Sequence, residues 1–150
     1  MRSLSHARSA TQGFTLVELM IAVAVIGILA TLSYSSYAGY ARRGRTVEAL
    51  AELSTVRVRL EQYYQDNRNY GSTASVCGVT MPAGAAFTYT CNWSTGGTSQ
   101  TFLVTATGRA SVGMNGFVYT VDDSNSQKTT LFEGASVTAN CWLKKRGETC

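Results

Sequence analysis

The run GFTLVELMIAVAVIGILATL, Gly13 to Leu32, constrains this chain more than any other stretch. From Phe14 to Leu32 nearly every side chain is apolar. As a helix rising about 1.5 Å per residue the run measures roughly 28 Å, close to the hydrocarbon thickness of a bilayer. It reads as a segment able to cross a membrane. One carboxylate, Glu18, interrupts it near its start, and an unpaired acid inside such a segment costs on the order of 2.5–3.5 kcal/mol. The segment therefore asks for a partner for Glu18. Two plainer accounts stand beside this one. A cleaved secretory signal fits the basic leader of Arg2, His6 and Arg8, but this apolar run exceeds the usual length of about 7–15 residues. A single-pass anchor would let Glu18 reach toward the headgroups.

Beyond the run, Tyr34, Tyr37 and Tyr40 recur every third residue, as on a helix face at a membrane interface or between packed subunits. Arg42, Arg43 and Arg45 follow closely and balance the basic leader, so charge alone does not orient the chain. From Arg45 to Asp66 the helical spacing returns. Val47, Leu50, Leu53, Val56, Leu60 and Tyr63 form the expected core face, with Glu48, Glu52, Arg57, Arg59 and Glu61 elsewhere. No proline falls between Phe14 and Asn67, so both halves join into one predicted helix of about 54 residues. DNRNYGS stops it, and a loop with Cys77 and Pro82 follows over Gly71–Ala86. The period then falls to two at Phe87–Trp93, Thr101–Thr107, Phe117–Val121 and Thr129–Phe132. The predicted fold class is α+β: a long N-terminal helix on a roughly four-stranded antiparallel sheet.

The four cysteines, Cys77, Cys91, Cys141 and Cys150, show no CxxC spacing and no nearby histidine. Two disulfides in an oxidising compartment fit them better than zinc. Of the three possible pairings, nearest neighbours, Cys77 with Cys91 and Cys141 with Cys150, is the one expected. A formal charge of +4 falls to +2 once Arg2 and Arg8 leave with a leader, taking 13 basic residues to 11 against 9 acidic ones. That excess is too small to announce a nucleic-acid binder. His6 is the sole histidine, and no phosphate loop, dinucleotide fingerprint or HExxH occurs, so no enzyme, cofactor or metal site is expected. Asp122 and Asp123 in DDSNSQ read as a hairpin turn rather than a calcium loop. The tail residues Lys144, Lys145 and Arg146, with Trp142 alongside, read first as a solvated loop rim and second as a contact for DNA or another negatively charged surface.

The octapeptide GFTLVELM resembles the class III leader junction of the type IV pilin superfamily. The resemblance implies cleavage by a prepilin peptidase between Gly13 and Phe14, N-methylation of Phe14, and Glu18 as the fifth residue of the mature chain. It divides the chain into a cytoplasmic leader, 1–13, a transmembrane and assembly helix, 14–44, and a globular head, 45–150. It further implies helix flexibility at Gly27, with Ser35 standing where many pilins carry a proline. The pattern of stem, cysteine-bearing loop, short strands and disulfide-closed tail is most similar to a minor type IV pilin. The implied partners are other pilin subunits, the prepilin peptidase, the inner-membrane assembly machinery and, before assembly, the lipid bilayer. The implied location is the bacterial inner membrane with a periplasmic head, then an extracellular pilus serving motility, adhesion or DNA uptake. A pseudopilin of a type II secretion system is the alternative, against which Cys141 and Cys150 argue. A DNA-binding receptor pilin ranks after it.

Overall fold

The structure, a computed structural model, describes residues 13–73, 76–93 and 100–150, without the side chains of 32–36, 72 and 73. The leader before Gly13, the turn at 94–99 and the side chains of Tyr34 and Ser35 therefore lie outside the described residues. The chain divides into two compact units, one ending at Ala38 and one spanning Gly39–Cys150.

Helix α1 runs Leu16–Asn67, within two residues of the predicted span at its start. It opens on a capping box: the Thr15 hydroxyl accepts the Glu18 amide at 3.2 Å while the Glu18 carboxylate accepts the Thr15 amide at 3.0 Å. It ends where Arg68 turns to a φ of 58° and its amide donates to the Tyr64 carbonyl. Among the described residues no helix is long and apolar enough to cross a membrane. The described part of the apolar run that opens α1 ends at Ala30, about 21 Å of rise from Leu16 and short of a hydrocarbon core of about 30 Å. Leu32, which closes the apolar run in the sequence, has its side chain outside them.

In the second unit, β1 (Gly71–Thr73) and β2 (Val76–Cys77) form a small antiparallel pair. The main sheet is antiparallel with order β3-β4-β5-β6-β7: β3 Phe87–Trp93, β4 Phe102–Gly108, β5 Val118–Asp122, β6 Gln127–Phe132 and β7 Ala135–Ala139. The sheet thus has five strands, not the four expected. The missed strand is ASVTA, whose small side chains carry little apolar signal. Its turn is Glu133-Gly134, both at positive φ (51° and 83°), the geometry of a two-residue hairpin. The loop after the helix likewise holds the β1–β2 pair that its Gly, Ser and Pro content conceals. The β5–β6 turn is as expected: the Asp122 carboxylate accepts the Ser126 amide at 2.8 Å.

The core lies between α1 and one face of the sheet. Leu53, Val56 and Leu60 are fully buried, as are Val104, Ala106, Tyr119 and Val121 from the strands. Val47 departs from expectation and is 53% exposed, while Thr46 and Ala49 are buried. The reason is geometric: at about 100° per residue, Val47 and Val56 are half a turn apart and cannot share a face. Gly108 marks a close approach, since a Cβ there would collide with the Met114 carbonyl oxygen. Both expected disulfides are formed, Cys77–Cys91 and Cys141–Cys150.

Candidate functional site

Two regions carry the residues singled out by sequence. The first is the start of α1. Phe14 is 88% exposed, and Leu16, Val17, Leu19, Met20, Ile21, Val23, Ile26, Ile28 and Leu29 all present more than half of their surface. A helix surface that is apolar on every side and exposed to this degree is of the kind buried against lipid or other helices. Glu18 is the sole charge on this surface. Its Oε2 accepts both the Thr15 amide and the Thr15 hydroxyl at 3.0 Å, and Gly13, Phe14, Thr15 and Glu18 line an open pocket of about 360 Å³. Sequence reasoning assigned Glu18 to assembly, paired with the Phe14 amine of an adjacent subunit; its capping role was overlooked, although Thr-x-x-Glu ahead of an apolar run was the available signal. Gly27 is helical, with nothing within 4 Å of where a Cβ would stand.

The second region is a basic hollow on the head. Lys144, Lys145 and Arg146 do not stand alone: with Arg42 and Arg43 of α1 they line a pocket of about 170 Å³ that also includes Thr46, Phe117, Phe132 and Glu133. All five cationic side chains are exposed. Arg146 pairs with Glu133, its Nε and Nη2 donating to one carboxylate oxygen at 2.7 and 2.5 Å.

The loop bearing these cations is fixed from below. The buried Thr129 hydroxyl donates to the Cys141 carbonyl at 2.7 Å and accepts the Leu143 amide at 3.0 Å. The buried Tyr119 hydroxyl donates to the Leu143 carbonyl at 2.9 Å. Burial pushes the Tyr119 hydroxyl up to about 12, only partly opposed by the Thr46 hydroxyl. The Trp142 indole donates to the Thr120 carbonyl at 2.9 Å, so this ring is anchored to the sheet. One Glu148 oxygen accepts the amides of Lys144 and Lys145 at 2.7 and 3.1 Å, which holds its carboxyl below the usual range. Sequence reasoning missed the contribution of Arg42 and Arg43, which are separated from the tail by the whole head.

Residues 35–116 match the family described as type IV minor pilin ComP, DNA uptake sequence receptor. Residues 8–34 match the prokaryotic N-terminal methylation motif. The chain is 38% identical over 68 residues to the type IV major fimbrial protein FimA of Dichelobacter nodosus, covering 45% of this chain and 42% of that one. It is 31% identical over 78 residues to the type IV major pilin protein PilA of Myxococcus xanthus, covering 52% and 36%. The chain therefore spans less than half the length of these curated relatives. Among solved structures it is similar to the non-core minor pilin PilV of Neisseria meningitidis, with a TM-score of 0.53 and 15% identity over 65% of this chain and 95% of that one, a likeness of fold.

Proposed function

This chain belongs to the family of the type IV minor pilin ComP, DNA uptake sequence receptor, and on that premise we propose that it is a minor subunit polymerised into a type IV pilus through α1. The observation that carries the proposal is the apolar surface from Phe14 to Leu29, exposed on all sides and bearing one carboxylate. Cleavage between Gly13 and Phe14 would leave an amine at the methylated Phe14, four residues before Glu18. In a bundle of such stems apolar surface is buried against apolar surface, and the Glu18 carboxylate of one subunit meets the Phe14 amine of the next. The pair sets axial register as well as neutralising both charges. Before assembly the stem rests in the inner membrane with the head in the periplasm, processed by a prepilin peptidase and handed on by the assembly machinery. In this role the chain is a substrate of processing and a structural subunit, and it catalyses none of the steps.

The capping box supplies a discriminating test. Glu18→Gln keeps an acceptor for the Thr15 amide, since Gln serves at the same position of a capping box, but removes the charge. If Glu18 pairs with a neighbouring amine, Glu18→Gln and Glu18→Ala both lose filament incorporation, measured as the pilin content of sheared filaments. Normal incorporation of Glu18→Gln, with loss only in Glu18→Ala, reduces Glu18 to a helix cap.

A second reading, DNA binding by the head, is favoured by one observation beyond the family match: the fold assembles five cations into one hollow where the sequence showed a run of three. Phosphate contacts of this kind give affinity that falls steeply with salt. Duplex binding by the full chain that is salt-insensitive, or unchanged in the Lys144→Gln, Lys145→Gln double variant, removes this reading.

A further inference from the structure

The basic hollow has a feature that a DNA site does not require: two of its cations come from the helix segment that directly follows the apolar stem. Arg42 and Arg43 stand ten and eleven positions after Leu32 in the sequence, with the exposed rings of Tyr37 and Tyr40 between. Aromatic rings followed by cations, next to an apolar span, is the order that meets first the interface and then the charged headgroups of a bilayer. The head adds Lys144, Lys145 and Arg146 to the same spot through a loop that is closed by Cys141–Cys150 and pinned to the sheet by Thr129 and Tyr119.

The two nearby carboxylates do not cancel the charge. Among the described residues Glu133 pairs with Arg146, and Glu148 accepts the backbone amides of Lys144 and Lys145 while its charge also acts on their ammonium groups, so two carboxylates stand against five cations. Arg42, Arg43, Lys144 and Lys145 make no ion pair among the described residues. They are left to donate to oxygens from outside the chain.

We propose that the hollow lined by Arg42, Arg43, Lys144, Lys145 and Arg146 docks on the anionic phosphate headgroups of the bilayer that holds the stem, holding the head down on the membrane until the subunit leaves for a filament. The inference rests on the reading that the stem sits in a bilayer. Headgroup phosphate oxygens accept hydrogen bonds from the guanidinium and ammonium groups, and each engaged cation strengthens docking by about fivefold at low salt. The docked state also hides the cations offered to DNA, so they become available only after extraction.

The test uses the full chain reconstituted into vesicles of phosphatidylcholine alone or with one-third phosphatidylglycerol. The rates of amine modification at Lys144 and Lys145 are compared with that at Lys128, an exposed lysine of β6 outside the hollow. Docking predicts that phosphatidylglycerol slows modification of Lys144 and Lys145 at least fivefold, leaves Lys128 unchanged, and is reversed by high salt and by the Arg42→Gln, Arg43→Gln double variant. Equal rates in both vesicles overturn docking while leaving the stem intact, as does equal slowing at Lys128. Protection of Lys144 and Lys145 by a DNA duplex but not by phosphatidylglycerol overturns it in favour of nucleic acid alone. A chain that fails to float with either vesicle overturns the stem reading and the docking together.

Discussion

Replacing Tyr119 by Phe isolates one of the contacts that join the sheet to the basic loop, and its effect should fade as pH rises. The side chain is fully buried, and its hydroxyl donates to the Leu143 carbonyl at 2.9 Å. Tyr119→Phe keeps the ring but strands that carbonyl, at a cost of about 2 kcal/mol near neutral pH. For a folded head of this size the loss corresponds to roughly 8 °C in Tm. At high pH the wild-type protein surrenders the same advantage. Burial raises the Tyr119 hydroxyl to about 12 in the folded state, above its ordinary value of 10. A folded value above the unfolded one gives stability that is complete below pH 10 and lost as pH rises through 12. Two units correspond to about 2.7 kcal/mol in full, and about 2 kcal/mol of it is gone at pH 12. Tyr70 and Tyr89, likewise raised to about 12, weaken both proteins equally. Urea unfolding of the oxidised chain in detergent, followed by near-ultraviolet circular dichroism from pH 7 to pH 12, should show two curves that converge. A gap between the proteins that stays constant across pH 10–12, or that is absent at pH 7, would refute the buried hydrogen bond as the link.

The helix face assignment predicts that Leu53→Ala costs about 2–5 kcal/mol, whereas Val47→Ala stays within about 0.5 kcal/mol; denaturant midpoints of the two variants decide it. Gly108→Ala pushes a methyl group into the Met114 carbonyl and should cost about 2–3 kcal/mol by the same measurement. Thr129→Val leaves the Cys141 carbonyl and the Leu143 amide unpaired under the basic loop. It should cost about 2–3 kcal/mol and speed hydrogen exchange at the Leu143 amide relative to β5.

The elements legible in the sequence are those whose signal is local and repeated. The stem declared itself through an apolar run broken by one carboxylate, and the strands Phe87–Trp93 and Phe102–Gly108 through a period of two in which threonines alternate with apolar residues over Phe87–Thr90 and Val104–Thr107. The disulfide pairs followed from proximity along the chain. Strand Ala135–Ala139 was hidden because its stability derives from pairing with β6 rather than from its own Ala, Ser and Thr side chains. The core face of α1 was misplaced at Val47 because successive spacings of three drift around the helix, which only the packed partner corrects. At the candidate sites the methylation motif is contiguous and was readable, whereas the capping contact between Thr15 and Glu18 was passed over. The basic hollow was not, because Arg42 and Arg43 meet Lys144, Lys145 and Arg146 only after the intervening sheet has folded.

The central claim, that this chain is cut after Gly13 and polymerises through the stem it exposes, is tested most directly by mass spectrometry of filaments sheared from the cell surface. The account predicts a peptide beginning at N-methylated Phe14, recovered in the filament fraction with Cys77–Cys91 and Cys141–Cys150 intact. A mature chain that begins elsewhere, or one confined to the membrane fraction and absent from filaments, would contradict it.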